Sequence, residues 1–318
     1  MEPQEVVDAV ATEPKDTAGP LCDGILKTLL YYDMWNHPLT SEELYAYLPI
    51  DSPSYGDFLQ TLAHEVTNGR VQRSGDYYYT PRTDHSVVAR RYAKELHAHR
   101  LWKIARISMH AIKRFPFVRA VCVSGDLSKN ATDKTSDIDF FIITSPRRLW
   151  ITRTLLVLFK KVFLLNSKKY FCLNYFTTQE HLTVAERDVY VATEIASLQP
   201  LYNFDLFVRY LHANRWVDDF FPNFDWRNCR YRATSERRSI IQILLELAFA
   251  FLPADRIDRY CMNKMKGIWV RRYPDFDDAT RSRILRSTRS ESRAFVGNFA
   301  EKILPLYADR LREFGLTM

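Results

Sequence analysis

Two aspartates one residue apart, Asp137 and Asp139, stand at the mouth of the apolar run Phe140-Phe141-Ile142-Ile143. In a β-strand, side chains two positions apart share a face, with α-carbons about 6.5–7 Å apart. Both carboxylates would therefore project together while Ile138 and the run behind it anchor the strand. Paired carboxylates of this kind ligate one or two hard divalent cations, Mg²⁺ or Mn²⁺, through oxygen. A two-metal site activates an attacking hydroxyl and stabilises the leaving oxygen of an in-line phosphoryl displacement. Upstream, the strand-like Val121-Cys122-Val123-Ser124 runs into Gly125, which permits a tight turn. The segment after it, Asp126 to Lys129, opens a short helix whose free backbone N–H groups form an anion site. Ser124, Ser128 and Lys129 would add hydroxyl and ammonium contacts to phosphates.

A lone Asp-x-Asp more often caps a strand or sits on a solvated edge than holds a metal. The combination is more specific: apolar strand, Gly, a polar loop, Ser136-Asp137-Ile138-Asp139, then apolar strand. The stretch from Val123 to Ile143 resembles the signature of the DNA polymerase beta-like nucleotidyltransferase superfamily, most closely its minimal bacterial members. That resemblance covers about 25 of the 318 residues. It implies an α/β (α+β) nucleotidyltransferase core with a mixed sheet, Asp137 and Asp139 as catalytic metal ligands, and Gly125 as the phosphate-turn glycine. It further implies a nucleoside triphosphate as substrate, Mg²⁺ or Mn²⁺ as cofactor, and transfer of a nucleoside monophosphate to an acceptor with loss of pyrophosphate.

The chain departs from the family pattern twice. The small residue expected after the glycine is Asp126, a carboxylate placed where phosphate should lie. Three readings stand: an N-cap of the short helix, a metal-assisting ligand, or a weakened nucleotide site. The third carboxylate that many members carry on a later strand is also missing. The strand Tyr170 to Phe176 offers Asn174 instead, an amide that orients but accepts no proton at neutral pH. The base is then a carboxylate elsewhere, with Glu194 and Asp205 as candidates, or the substrate itself, or absent. A copy that keeps the fold without turnover, as a nucleic-acid-binding or regulatory module, is the rival reading.

Around this stretch the chain falls into four parts. Residues 1–20 are polar and aperiodic, the composition of a disordered tail. Residues 21–83 read as three helices and a hairpin about Ser74-Gly75, the order of a winged helix. The first helix has Ile25, Leu26, Leu29 and Leu30 on one face, the second an N-cap at Thr40 or Ser41, and the third an apolar face of Phe58, Leu62 and Val66. That third helix has no lysine or arginine before Arg70, whereas a groove-reading helix needs cations. Docking or scaffolding is thus set against nucleic-acid contact through Arg70, Arg73 and Arg82. Residues 84–183 form the core, opened by a long helix over 85–114. Residues 184–318 read as a helical C-terminal region ending in a helix near 291–314.

Between Arg147 and Lys169 the chain carries seven lysines and arginines and no acid, a funnel for nucleotide or simply a solvated helix face. Arg147 and Arg148, just past the Asp-x-Asp strand, are the nucleotide-binding candidates. The net charge of +7 favours polyanionic partners. Five scattered cysteines lack zinc-ligand spacing and read as free thiols in a reducing compartment. With no basic leader and no apolar run long enough for a span, a cytoplasmic location and no membrane partner are expected.

Overall fold

Three helices lead the chain: α1 (Ala18–Asp33), α2 (Ser41–Ala46) and α3 (Tyr55–Thr67). The structure is a computed structural model and describes residues 18–52, 54–229, 237–293 and 299–318. The expected disordered tail falls largely outside those residues, but positions 18–20 already open α1. Pro20 fits its first turn, where no intrahelical donor is required. Thr40 is the N-cap of α2 and forms a capping box with Glu43, each side chain bonding the other's backbone N–H. Ser54 caps α3, whose Phe58 and Leu62 are buried. The hairpin follows as β1 (Gln72–Ser74) and β2 (Tyr77–Tyr79), antiparallel with Gln72 opposite Tyr79.

Helix α4 (Ser86–Ile112) spans 27 residues, about 40 Å of rise, and carries the chain from the hairpin to the sheet. Its first turns are fastened to α2 by a buried cation. The Arg91 guanidinium donates to Glu95 at 2.9 Å, to Glu43 at 2.7 Å and to the Pro38 carbonyl at 3.1 Å, and it also touches His37. Burial and the Arg91 charge hold His37 well below the usual imidazole range, so it stays neutral beside the guanidinium.

The sheet is assembled from β3 (Val118–Ser124), the single-turn α5 (Gly125–Ser128), β4 (Asp139–Thr144), α6 (Leu149–Phe163) and β5 (Cys172–Thr178). It continues through α7 (Val189–Ala196), β6 (Gln199–Tyr202), α8 (Phe204–Ala213), α9 (Ile240–Ala250), α10 (Ala254–Arg272), α11 (Asp278–Ile284), β7 (Glu291–Arg293) and α12 (Phe299–Glu313). Five strands lie in the order β6-β3-β4-β5-β7, with β4-β5 parallel and the other pairs antiparallel. The mixed α/β architecture is as expected. The region past residue 184, expected to be helical, is corrected at two points: it supplies both edge strands. Neither Gln-Pro-Leu-Tyr nor Glu-Ser-Arg alternates in polarity, so their strand state comes from the ladders of β3 and β5. Pro200 is tolerated because β6 is an edge.

Strand alternation sends Val121, Val123, Phe140 and Ile142 to one face, against Trp102 and Met109 of α4 and Trp150 and Leu156 of α6. Ala120, Cys122, Phe141 and Ile143 face the other way, against Ile195 of α7 and Leu206, Phe207 and Tyr210 of α8. The last helix returns to the first. Tyr307 and Leu311 of α12 join the core of α1–α3, and the Tyr307 hydroxyl donates to the Lys27 carbonyl at 3.1 Å.

Replacing Arg91 by Met removes the cation of this cluster and leaves Glu43 and Glu95 with only their neutral partners, the Thr40 N–H and the Tyr77 hydroxyl. Urea unfolding of Arg91→Met is expected to show a loss of about 3 kcal/mol; a loss within ~0.5 kcal/mol would mean that the cluster fastens nothing.

Candidate metal and phosphate site

Antiparallel pairing of β3 and β4 sets Ser124 directly opposite Asp139 at the loop end of the pair. Both share the face of Cys122 and Phe141, so they look toward α7. Parallel pairing of β4 with β5 then sets Cys172 beside Asp139 on the other flank. The junction is pinned by Ile138 N–H donating to the Lys169 carbonyl at 2.9 Å and Cys172 N–H donating to the Ile138 carbonyl at 3.0 Å. Ligand atoms of Asp137, Asp139 and Cys172 all lie within 4.8 Å of one another.

Gly125 suits this position on two grounds. Its φ is +67°, a conformation that side chains disfavour, and a Cβ at this position would lie 2.7 Å from Asp139 Oδ2. The bare turn lets the carboxylate lean onto the backbone. That proximity has an electrostatic cost. Burial, first of all, and the charges of Asp137, Asp126 and Glu194 together push the Asp139 carboxyl up to about 7. Only the hydrogen bond with Cys172 acts in the opposite sense. Burial and the Asp139 charge in turn push the Cys172 thiol up, so it is a neutral donor to the carboxylates. Convergent acids, a thiol and a glycine-cleared approach fit a divalent cation, with Asp137, Asp139 and Cys172 as its holders. The cluster does not by itself choose the metal.

The turn residues divide in their roles. Asp126 is not the N-cap, because that position belongs to Ser124; it lies in the first turn of α5. Its Oδ2 accepts from Ser136 Oγ at 2.9 Å, which closes the polar loop between the strands. Ser128 is buried, and its hydroxyl donates to the Gly125 carbonyl at 2.7 Å. Lys129 Nζ donates to Glu194 at 2.7 Å. Ser124 alone of the hydroxyls expected to meet phosphate lines the adjoining cavity.

That cavity, about 320 Å³, lies over the α7 face and is also bordered by Asn174, Tyr190, Glu194 and Arg293. A second cavity, about 540 Å³, lies between α2 and the end of α5, with Tyr47, Lys129 and Asn130 in its wall. The Lys129–Glu194 ion pair thus contributes one residue to each.

Arg147 and Arg148 do not join the site. They follow the far end of β4, about 17 Å of strand rise from Asp139, and both are paired with Asp255 of α10. The cations of the same basic segment that act on Cys172 are Arg153 and Lys160. Arg153 is buried over the Phe176 ring at 4.8 Å, and burial lowers it to about 10. Asn174 sits at a register irregularity of β5, and the strand residue beside Asp139 is Cys172 instead. Which residue of β5 meets Asp139 depends on inter-strand register, which no local pattern carries. Of the two alternative bases, Glu194 borders the cavity, while Asp205 is exposed at the start of α8.

Comparisons with family models, curated proteins and solved structures give no match to this chain.

Gly125→Ala is expected to destabilise the fold by about 1–3 kcal/mol and to weaken divalent-cation binding, both read by thermal denaturation with and without metal. A second expectation concerns pH. Between the ordinary carboxylate range and about 7 the folded protein holds the Asp139 proton more tightly than the unfolded chain does. Metal-free stability therefore falls as pH rises through that window. Asp139→Asn should remove this slope, leaving the variant more stable than wild type at alkaline pH by about 1–3 kcal/mol. Parallel stability–pH curves for the two proteins would refute the assignment.

Proposed function

We propose that this protein is a metal-dependent nucleotidyltransferase that moves a nucleoside monophosphate from a nucleoside triphosphate to an acceptor and releases pyrophosphate. The observation that carries this reading is the convergence of Asp137, Asp139 and Cys172 against a positive-φ glycine turn where a Cβ would displace the Asp139 carboxylate. A divalent cation, Mg²⁺ or Mn²⁺, would supply charge neutralisation for the triphosphate and the leaving pyrophosphate. Asp137 and Asp139 bind and orient that cation. Ser124 and the backbone of the Gly125 turn position the phosphates, and the cavity over α7 receives the remainder of the substrate. An acceptor oxygen or nitrogen forms the new bond to the α-phosphorus while the bond to the bridging oxygen breaks and pyrophosphate departs. Glu194, one of the carboxylates bordering the cavity, would take the acceptor's proton.

The α1–α3 unit with its hairpin has the order of a winged helix, and we assign it a scaffolding role. The exposed side of α3 carries Asp57, Gln60 and His64 and no cation, while α1 is occupied by α12. A second reading, a metal-binding regulatory module without turnover, is favoured by one feature. Ser128 and Lys129 spend their polar groups within the protein, on Gly125 and Glu194.

Pyrophosphate release is measured with each nucleoside triphosphate and candidate acceptor, with Mg²⁺ or Mn²⁺, alongside calorimetric nucleotide titration. The transferase reading expects metal-dependent binding and turnover, both reduced by roughly 10²-fold or more in Asp137→Ala/Asp139→Ala. Metal-dependent binding without turnover would select the regulatory reading. Absence of both would end the metal-site assignment.

A further inference from the structure

Helix α9 is amphipathic in the reverse sense from a packed helix. Gln242, Glu246 and Phe249, at the i, i+4, i+7 spacing of one stripe, face the body of the protein. Gln242 Nε2 donates to the Val118 carbonyl at 2.6 Å. Glu246 accepts from Phe117 N–H at 2.7 Å and from the Arg119 guanidinium at 2.7 and 3.0 Å. Phe249 meets the Phe117 ring edge-on at 5.5 Å between centroids. The apolar residues are turned outward: Ile240, Leu244 and Phe251 are 76%, 61% and 90% exposed, with Ile241, Leu247 and Leu252 beside them. A monomer rarely leaves so dense an apolar face in water.

The charge around this face selects the occupant. From residue 237 to 272 the chain carries eight lysines and arginines against three acids, a net +5 of the whole chain's +7. The acids are spent internally. Glu246 binds Arg119, Asp258 is buried and accepts from the Trp150 and Ile151 N–H groups at 2.9 and 3.0 Å, and Asp255 pairs with Arg148. Arg256, Arg259, Lys264 and Lys266 of α10 are exposed. An apolar helix followed in the chain by exposed cations matches the acyl boundary and headgroups of an anionic bilayer.

A second copy would bring like charges together, and a stable protein interface takes roughly 20–30 residues a side, more than one short helix offers. Nor does the helix cross a membrane. At 11 residues it is about 17 Å long against a hydrocarbon core of about 30 Å, and no described helix is long and apolar enough to span.

We propose that α9 and the adjoining start of α10 form a peripheral docking surface for an anionic lipid bilayer, with α9 lying in the plane of the interface. This surface proposal is independent of the metal site.

The test is flotation of the full chain with vesicles of phosphatidylcholine alone and with about 30 mol% phosphatidylglycerol, at low and high salt. The full chain is expected to partition at least roughly tenfold better onto the anionic vesicles, with high salt reducing the difference. Leu244→Glu/Leu247→Glu should abolish binding, and Arg256→Glu/Arg259→Glu should weaken it toward the neutral-vesicle level. All four positions are exposed, and circular dichroism melts verify that both variants remain folded. Failure to float with either vesicle overturns the proposal, as does equal binding to both. Concentration-dependent dimerisation in light scattering, abolished by Leu244→Glu/Leu247→Glu, would assign the face to a second copy and overturn it as well.

Discussion

The site depends on the approach of the Asp139 carboxylate to the backbone of Gly125. The β3-β4 register brings the start of one strand against the end of the other, and any Cβ on the turn would meet the carboxylate oxygen at 2.7 Å. Backbone conformation and close packing thus make the same demand on one residue. Everything placed around the pair follows from that fixed corner: α5 leaves the turn in one direction, and β5 lays Cys172 alongside.

The corner concentrates negative charge. Asp137, Asp126 and Glu194 all work with burial to keep the Asp139 proton in place. A cation bound at such a cluster would turn this repulsion into attraction. The neighbouring polar groups are arranged with more restraint. Ser136 holds Asp126, and Glu194 holds Lys129, so the loop and the turn are braced by groups that a phosphate would have to share.

Two kinds of surface result from the way the helices pack. Around the sheet, helices bury their apolar stripes in the ordinary manner, on α4 and α6 to one side and α7 and α8 to the other. Helix α9 instead spends hydrogen bonds and an ion pair on its attachment and offers its leucines and isoleucines outward. Its polar stripe bonds the Phe117 N–H, the Val118 carbonyl and Arg119 near the start of β3.

Local sequence determined much of this protein. The capping box at Thr40, the apolar stripe of α1, the strand-turn-strand around Gly125 and the side-by-side carboxylates of Asp137 and Asp139 are all readable over a few residues, because propensity, capping and side-chain period act at that range. Tertiary structure decided the rest. The strands β6 and β7 exist through the ladders of β3 and β5. Cys172 rather than Asn174 meets Asp139 because inter-strand register decides it, and Asp126 turned to Ser136 because the loop folds back across the turn. Arg147 and Arg148 are close to Asp139 in sequence but a strand length away in space, since β4 is extended. The outward face of α9 was equally hidden: its composition reads as core, and only the partners of Gln242 and Glu246 reveal which side is inside.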